Sequence, residues 1–350
     1  MEVIPMNATW YNIQSNLEQK EMFVKDSTLN VNYDNTNQKL IALKGDKFRE
    51  YRQKWEATYK TTTLIDFPLH IDFETVYGCN YHCAICHLNY IYPQATDFMS
   101  IKKLFDFNLF KKIIDEGLDN GLCAITVNNV GEPLLRDDID KFIYYATDRG
   151  VLDIWMSTNG SLLSSEMAKK LIISGLTRIN ISLDAATEST YLKIRKSKNL
   201  KKVIKNIHDL IELRDKLGSV TPVVKVSFCV TNINEHEVDE FIALWKPHVD
   251  AISIQQYWDA NKVTDLTAHN RVIEKFNCLE PFHRLAINVD GTVSPCCLIW
   301  RDGFLMGDAK ESSIHDVWHS DKMNRLRQSI ITGEFPEEFH KCVECIESRF

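Results

Sequence analysis

Residues 67–86 read FPLHIDFETVYGCNYHCAIC. Leu69 to Glu74 reads as a strand, and it runs into Gly78 and then into Cys79, Cys83 and Cys86. From there a repeating pattern extends down the chain. Lys102 to Asp119 places Leu104, Phe107, Phe110, Ile114 and Leu118 at helical spacing. Ala124 to Val127 is a strand, Asp137 to Asp148 a helix, Val151 to Met156 a strand and Ser164 to Ser174 a helix. Arg178 to Leu183 is the next strand, followed by a long helix with Leu200, Val203, Ile204, Ile207 and Ile211 on one face. Strands Val223 to Val230 and Ala251 to Gln255 flank a helix from Glu235 to Trp245. Strands alternating with helices predict an α/β fold, a parallel sheet with helices packed outside it. Such sheets and barrels place their chemistry at the carboxyl ends of the strands, where the informative residues fall.

The composition sets the frame. A chain of 350 residues accommodates one large domain with an appendage, and 44% apolar with 25% charged residues is ordinary for a soluble globular protein. A net charge of −7 argues against nucleic acid as a partner. The first lysine is Lys20 and no apolar run reaches membrane-spanning length, so no targeting segment and no membrane partner are read, and a cytoplasmic location is expected. The ten cysteines fall in clusters, the pattern of metal binding in a reducing compartment. Residues 1–66 are polar, rich in Asn, Gln and Lys, with one helix expected over Asp46 to Thr58 and no catalytic motif.

Three thiolates can hold three irons of a [4Fe–4S] cluster and leave the fourth open. Spacing alone also admits zinc, with His82 as a further ligand, or three structural thiols. Gly78-Cys79 through Cys86 resembles the C-x3-C-x2-C signature of the radical S-adenosylmethionine (SAM) superfamily. Ile85 departs from it, since the position before the third cysteine is commonly aromatic there. The resemblance runs from about Phe67 to the C-terminus. It implies a partial (β/α)6 parallel barrel whose open iron chelates SAM, and one electron then splits SAM to a 5′-deoxyadenosyl radical.

Four later motifs lie at strand ends in the family's order. Gly131-Glu132-Pro133 resembles the motif for the SAM amino group, and Ser157-Thr158-Asn159-Gly160 follows the third strand. Ser182-Leu183-Asp184 resembles the ribose contact, and Arg195 matches an arginine that pairs with the SAM carboxylate. Read singly, the first two are ordinary turns and Arg195 belongs to a solvated lysine-rich helix face.

Cys278, Cys296, Cys342 and Cys345 form a second set. A hairpin turning at Asp290-Gly291 brings Cys278 and Cys296 together, and the last two come from the far end of a helical stretch. Spacing leaves a zinc ribbon open. The pattern resembles the SPASM/Twitch extension of radical SAM enzymes, in its single-cluster, Twitch-like form, and implies an auxiliary [4Fe–4S] cluster. The resulting layout is 1–66 as a polar extension, 67–265 as the radical SAM core and 266–350 as the iron–sulfur domain. Cys123 and Cys229 suit core packing; Cys229 and Cys297 are also candidate hydrogen-donor thiols.

The resemblance divides between peptide and small-molecule modifiers. Residues 1–66 are too short and too poor in apolar periodicity for a peptide-binding winged helix. The single-cluster tail resembles that of enzymes which oxidise or epimerise carbinol carbons in aminocyclitols and sugars. This resemblance implies a sugar, nucleotide sugar or aminocyclitol as substrate, with peptide epimerisation or crosslinking the alternative. A non-catalytic protein with structural or electron-transfer clusters is the third, opposed by the SAM motifs. Lys193 to Lys205 reads as a solvated helix face, or as a landing site for a flavodoxin- or ferredoxin-type electron donor or a phosphate-bearing substrate.

Overall fold

The computed structural model describes residues 22–25, 28–31, 33–58, 61–86, 103–259, 264–269, 278–297 and 304–347. The chain opens with strands β1 (Met22–Lys25) and β2 (Thr28–Val31), then helices α1 (Tyr33–Lys44) and α2 (Asp46–Thr58). The core follows as β3 (His70–Phe73), β4 (Val76–Tyr77), β5 (Lys103–Leu104), α3 (Phe107–Asp119), β6 (Ala124–Thr126), α4 (Ile139–Arg149), β7 (Asp153–Thr158) and α5 (Ser165–Ile173). It continues with β8 (Arg178–Ser182), α6 (Glu188–Arg195), α7 (Leu200–Lys216), β9 (Val223–Val230), α8 (Val238–Trp245) and β10 (Ala251–Gln256). The tail holds β11 (Arg284–Ile287), β12 (Thr292–Ser294), β13 (Gly307–Asp308), α9 (Ile314–Trp318), α10 (Asp321–Thr332) and α11 (His340–Glu347).

The main sheet runs β1-β2-β10-β9-β8-β7-β6-β3-β11-β12-β13. Its centre, β3 through β10, is six parallel strands in sequence order, the expected partial (β/α)6 barrel. The barrel stays open: β10 pairs antiparallel with β2, and β3 pairs parallel with β11. Along each strand the residues that face the helices are Ile125, Ile154, Met156, Ile179, Ile181, Val224, Val226 and Phe228, all buried. Phe73 meets Phe110 of α3 at 4.7 Å, and Phe228 meets Phe241 of α8 at 4.9 Å. Alternation does the rest, since residues two apart share a face.

Residues 33–58, expected as part of a polar extension, pack onto the barrel's amino-terminal end. Leu40, Phe48 and Tyr51 share a buried cluster with Ala124 and Val223. Thr36 and Asn37 accept from the Arg178 guanidinium at 3.3 and 2.7 Å. The helix expected from Lys102 begins later. Lys102 lies outside the described residues, Lys103 and Leu104 pair as a strand with Tyr77 and Val76, and Asp106 caps α3 by accepting from the Leu109 amide at 2.7 Å. The helix expected from Glu235 starts with a 3-10 turn over Glu235–Glu237. Among the described residues no helix is long and apolar enough to cross a membrane.

Candidate functional site

The cysteine loop leaves β4 at the carboxyl end of the barrel, and it is held from several directions. From α6, the Ile194 carbonyl accepts from the Ala84 amide at 2.7 Å. The Gly78 carbonyl accepts from the Glu132 amide at 2.8 Å. Gly131 makes that approach possible: its φ is +84°, and a Cβ there would stand 2.6 Å from the Gly78 oxygen and 2.8 Å from that of Val76. Asn80 donates to Ser161 Oγ at 2.9 Å and accepts from Asn159 Nδ2 at 2.8 Å.

Glu132 is 1% exposed and ties the loops together. Its carboxylate accepts from Thr158 Oγ1 at 2.6 Å, the Asn159 amide at 2.8 Å and the Leu134 amide at 3.2 Å. Burial pushes its pKa up against these bonds. The carboxylate read as a contact for the SAM amino group also binds the chain's own loops, with Pro133 opening the 3-10 turn beneath it.

Asp184 and Arg195, read as separate SAM contacts, meet each other. Arg195 Nη2 pairs with Asp184 Oδ2 at 2.7 Å, and Nη1 donates to Cys83 Sγ at 3.5 Å. Arg195 is buried while Lys193, Lys196, Lys198, Lys201, Lys202 and Lys205 are exposed, which separates it from the solvated face. Burial pushes Asp184 up and the arginine opposes it. Asp184 Oδ1 also accepts from the Cys229 amide at 2.7 Å, which puts Cys229 in the same layer as the cysteine loop. Burial, then the Asp184 charge, hold the Cys229 thiol protonated. Ser157 and Ser182 line the barrel's inner face, the Ser157 amide donating to Asn128 Oδ1 at 2.7 Å. Cys297 lies elsewhere: Arg284 Nη2 donates to its Sγ at 3.5 Å, and Arg284 also pairs with Glu280 and with Asp72 at 3.6 Å.

Both cysteine sets suit polynuclear iron. Burial pushes Cys79 up to about 12, and the charges of Glu132, Cys83 and Cys86 add to it. Cys278, Cys296 and Cys342 are likewise raised, first by burial. The Glu280 charge adds to Cys278, the Cys297 charge to Cys296, and the other cysteines of the set, Cys345 included, contribute after these, so the four thiols lie within electrostatic reach. Loading iron must displace these protons. Among the described residues no three His, Cys, Asp or Glu side chains converge for a single metal ion. A cubane takes its thiolates at separate corners, so its ligands stand further apart than those around one zinc. His82 is exposed.

Sequence reading missed Asn80, though it lies inside the cysteine motif, and Glu280 and Arg284, whose contacts are long-range. It also missed Trp155 and Lys225. Their signal was the alternation in Val223-Val-Lys225-Val-Ser227-Phe-Cys229, which turns a polar row inward.

An open parallel barrel with a three-cysteine loop at its carboxyl mouth and a four-cysteine tail defines an iron–sulfur enzyme. The radical SAM superfamily matches residues 73–244, and an iron-sulfur cluster-binding domain, SPASM, matches residues 278–346. The chain belongs to the radical SAM superfamily and carries a C-terminal SPASM domain. SAM and two [4Fe–4S] clusters are its cofactors. The chain is 29% identical over 273 residues to the GTP 3′,8-cyclase of Aliarcobacter butzleri, covering 67% of this chain and 81% of that one. It is 35% identical over 150 residues to a probable GTP 3′,8-cyclase of Methanococcus maripaludis, covering 43% and 46%. The structure of Streptococcus suis SuiB superposes with a TM-score of 0.60 at 15% identity, covering 87% and 75%, and shares the fold.

Proposed function

We propose that the chain removes hydrogen from a carbinol C–H of a sugar, nucleotide sugar or aminocyclitol. The observation that carries this is the barrel's inner wall. Thr126, Ser157, Asn180, Ser182, Lys225 and Gln255 come from five successive strands, and none is fully buried, whereas the outward side chains between them are. A hollow lined with hydroxyl, amide and ammonium groups suits a hydroxyl-rich ligand, because each polar group taken from water needs a partner. Cys79, Cys83 and Cys86 would hold the SAM cluster, and Cys278, Cys296, Cys342 and Cys345 the auxiliary one. Bound there, cluster and SAM supply a hydrogen-abstracting radical, with the electron from a flavodoxin- or ferredoxin-type donor.

The chain's residues then decide the product. Cys229 keeps its proton and faces inward along β9, as a hydrogen donor must. Donating its hydrogen atom to the substrate radical gives an epimer and leaves a thiyl radical, which one electron from the flavodoxin- or ferredoxin-type donor and one proton return to the thiol. Loss of the electron toward the auxiliary set, on whose side Cys297 lies, with release of the hydroxyl proton, gives a ketone. The curated relatives support a second reading, a guanosine nucleotide, which is itself a phosphorylated sugar.

The test is turnover in deuterated water by the reduced, reconstituted protein, with nucleotide sugars, cyclitols, GTP and peptides offered separately. We expect 5′-deoxyadenosine with every productive substrate. A saccharide should come back either as a ketone or with deuterium at an inverted carbon, and Cys229→Ala should remove only the deuterated epimer. Turnover of GTP alone would transfer the assignment to the nucleotide reading, and of peptides alone to the peptide one.

A further inference from the structure

The inner wall holds three polar groups that no other side chain satisfies. Trp155 Nε1 and Asn180 Oδ1 are buried and lack hydrogen-bond partners. The Asn180 amide nitrogen is already spent on Ser227 Oγ at 3.1 Å. Among the described residues Lys225 meets no ion-pair or hydrogen-bond partner; its ammonium stands 5.6 Å from the centre of the Trp155 ring. The nearby cation is taken, since Arg178 is paired with Asp153 at 3.1 Å and bound by Thr36 and Asn37. Burial, with the like charge of Arg178, lowers Lys225 to about 8.

These three side chains are neighbours. Trp155 pairs with Arg178 across β7 and β8, and Asn180 with Lys225 across β8 and β9, so they sit on three adjacent strands at adjacent levels. With Thr36, Arg178, Ile179, Val223 and Ala251 they line a pocket of about 10 Å³ at the amino-terminal end of the strands, beside α1. That is room for one water, so a larger group could meet these side chains only from the carboxyl side of the barrel. The buried donor of Trp155 and the buried acceptor of Asn180 are costly to leave open, because each has lost water without gaining a partner. The half-buried Lys225 adds a positive charge beside them.

We propose that Trp155, Asn180 and Lys225 form the floor of the substrate chamber and that Lys225 binds an anionic group, a phosphoryl or a carboxylate, on the saccharide. Lys225 supplies the charge, and its three donors suit a rotating oxyanion. The Trp155 N–H donates to a second oxygen or a hydroxyl, and Asn180 Oδ1 accepts from a sugar hydroxyl. The anion lies deep, so the C–H bonds of the attached sugar lie above it, toward Ser182, Asp184 and Cys229. This deepens the saccharide reading and rests on it: the substrate is a charged sugar, not a neutral cyclitol.

The test uses the full reconstituted chain with SAM bound. Glucose 1-phosphate, UDP-glucose, glucuronate and myo-inositol are titrated calorimetrically into wild type, Lys225→Gln and Lys225→Arg. We expect the anionic ligands to bind at least tenfold more tightly than myo-inositol, and Lys225→Gln to weaken them by about tenfold to a hundredfold. Lys225→Arg should keep most of that affinity, and SAM affinity and cluster absorbance should not change. The ratio of glucose 1-phosphate to glucuronate identifies the anion. Saccharides that bind without regard to charge, or whose charge preference survives Lys225→Gln, would overturn the inference and leave the saccharide reading standing. If none of the four binds, both fall.

Discussion

The two cysteine sites are built in opposite ways. The first would take its ligands from eight consecutive positions, Cys79 to Cys86, and the surrounding loops bind that segment by hydrogen bonds. Gly78 binds the Glu132 amide, Ala84 binds Ile194, and Asn80 binds Asn159 and Ser161. The second draws on Cys278, Cys296, Cys342 and Cys345, carried by a hairpin and a terminal helix far apart in sequence. No residue of α11 is fully buried. A group joining those four thiols closes a long loop, and closure removes conformational freedom from the unfolded chain. A cluster at the first set would thus enter a site braced by its neighbours, and one at the second would itself tie the site together.

The comparison breaks most sharply at the cysteines. Reconstituted protein should bind about eight irons, as two four-iron clusters require. The triple variant of Cys79, Cys83 and Cys86 to Ala should keep about half, lose all 5′-deoxyadenosine formation and melt within a degree or two of wild type. The double variant Cys342→Ala and Cys345→Ala should also keep about half the iron but melt several degrees lower. Iron counts and calorimetry distinguish the two, and equal melting losses would remove the contrast.

A smaller effect is expected at Gly131. Gly131→Ala forces a Cβ against two carbonyl oxygens and strains a left-handed backbone, at roughly 1–3 kcal/mol for the dihedral alone. The cysteine loop must shift, so SAM affinity should fall about tenfold or more, one decade per 1.4 kcal/mol. Gly150→Ala is the control: its φ is +106° but nothing lies within 4 Å. It should lose stability and keep SAM affinity, whereas equal losses of affinity would detach the Gly131 contact from the site.

The smallest effect concerns Asp72, which joins the two regions through Arg284. Burial alone would raise its pKa, yet Arg284 and His70 bring it to about 2. A depressed carboxylate stabilises the fold above its unfolded pKa of about 3.9, and that contribution disappears as pH falls through about 2. It amounts to about 2–3 kcal/mol at most. Asp72→Asn should flatten the acid limb of the stability curve over that interval and leave its shape above pH 5 unchanged. An unaltered acid limb would show that Arg284 binds elsewhere.

Much of this was legible before any coordinates. The strand pattern survived because inward and outward residues alternate, and Val223 to Val230 matches to the residue. The cysteine loop and its strand-end companions were readable as local motifs. Partnership was harder. Arg195 and Asp184 were each assigned outward to SAM, but a buried ion pair depends on where α6 returns over the barrel. The choice of Cys296 over its neighbour Cys297 followed a spacing pattern; in space Cys296 feels the charge of Cys297 first and of Cys278, Cys345 and Cys342 after it, and Cys297 accepts from Arg284. The role of α1 was invisible, since it has little apolar periodicity and its partner surface is made by β7 to β9.

One pairing has a consequence for electron flow. β11 hydrogen-bonds in register with β3, Leu285 beside Ile71 and Ile287 beside Phe73, and the two iron sites hang from these strands by short connections. Neighbouring strands are held at about 4.8 Å, a spacing that hardly varies. With clusters bound at both cysteine sites, the sheet would act as a fixed ruler between them, holding one separation for an electron to cross.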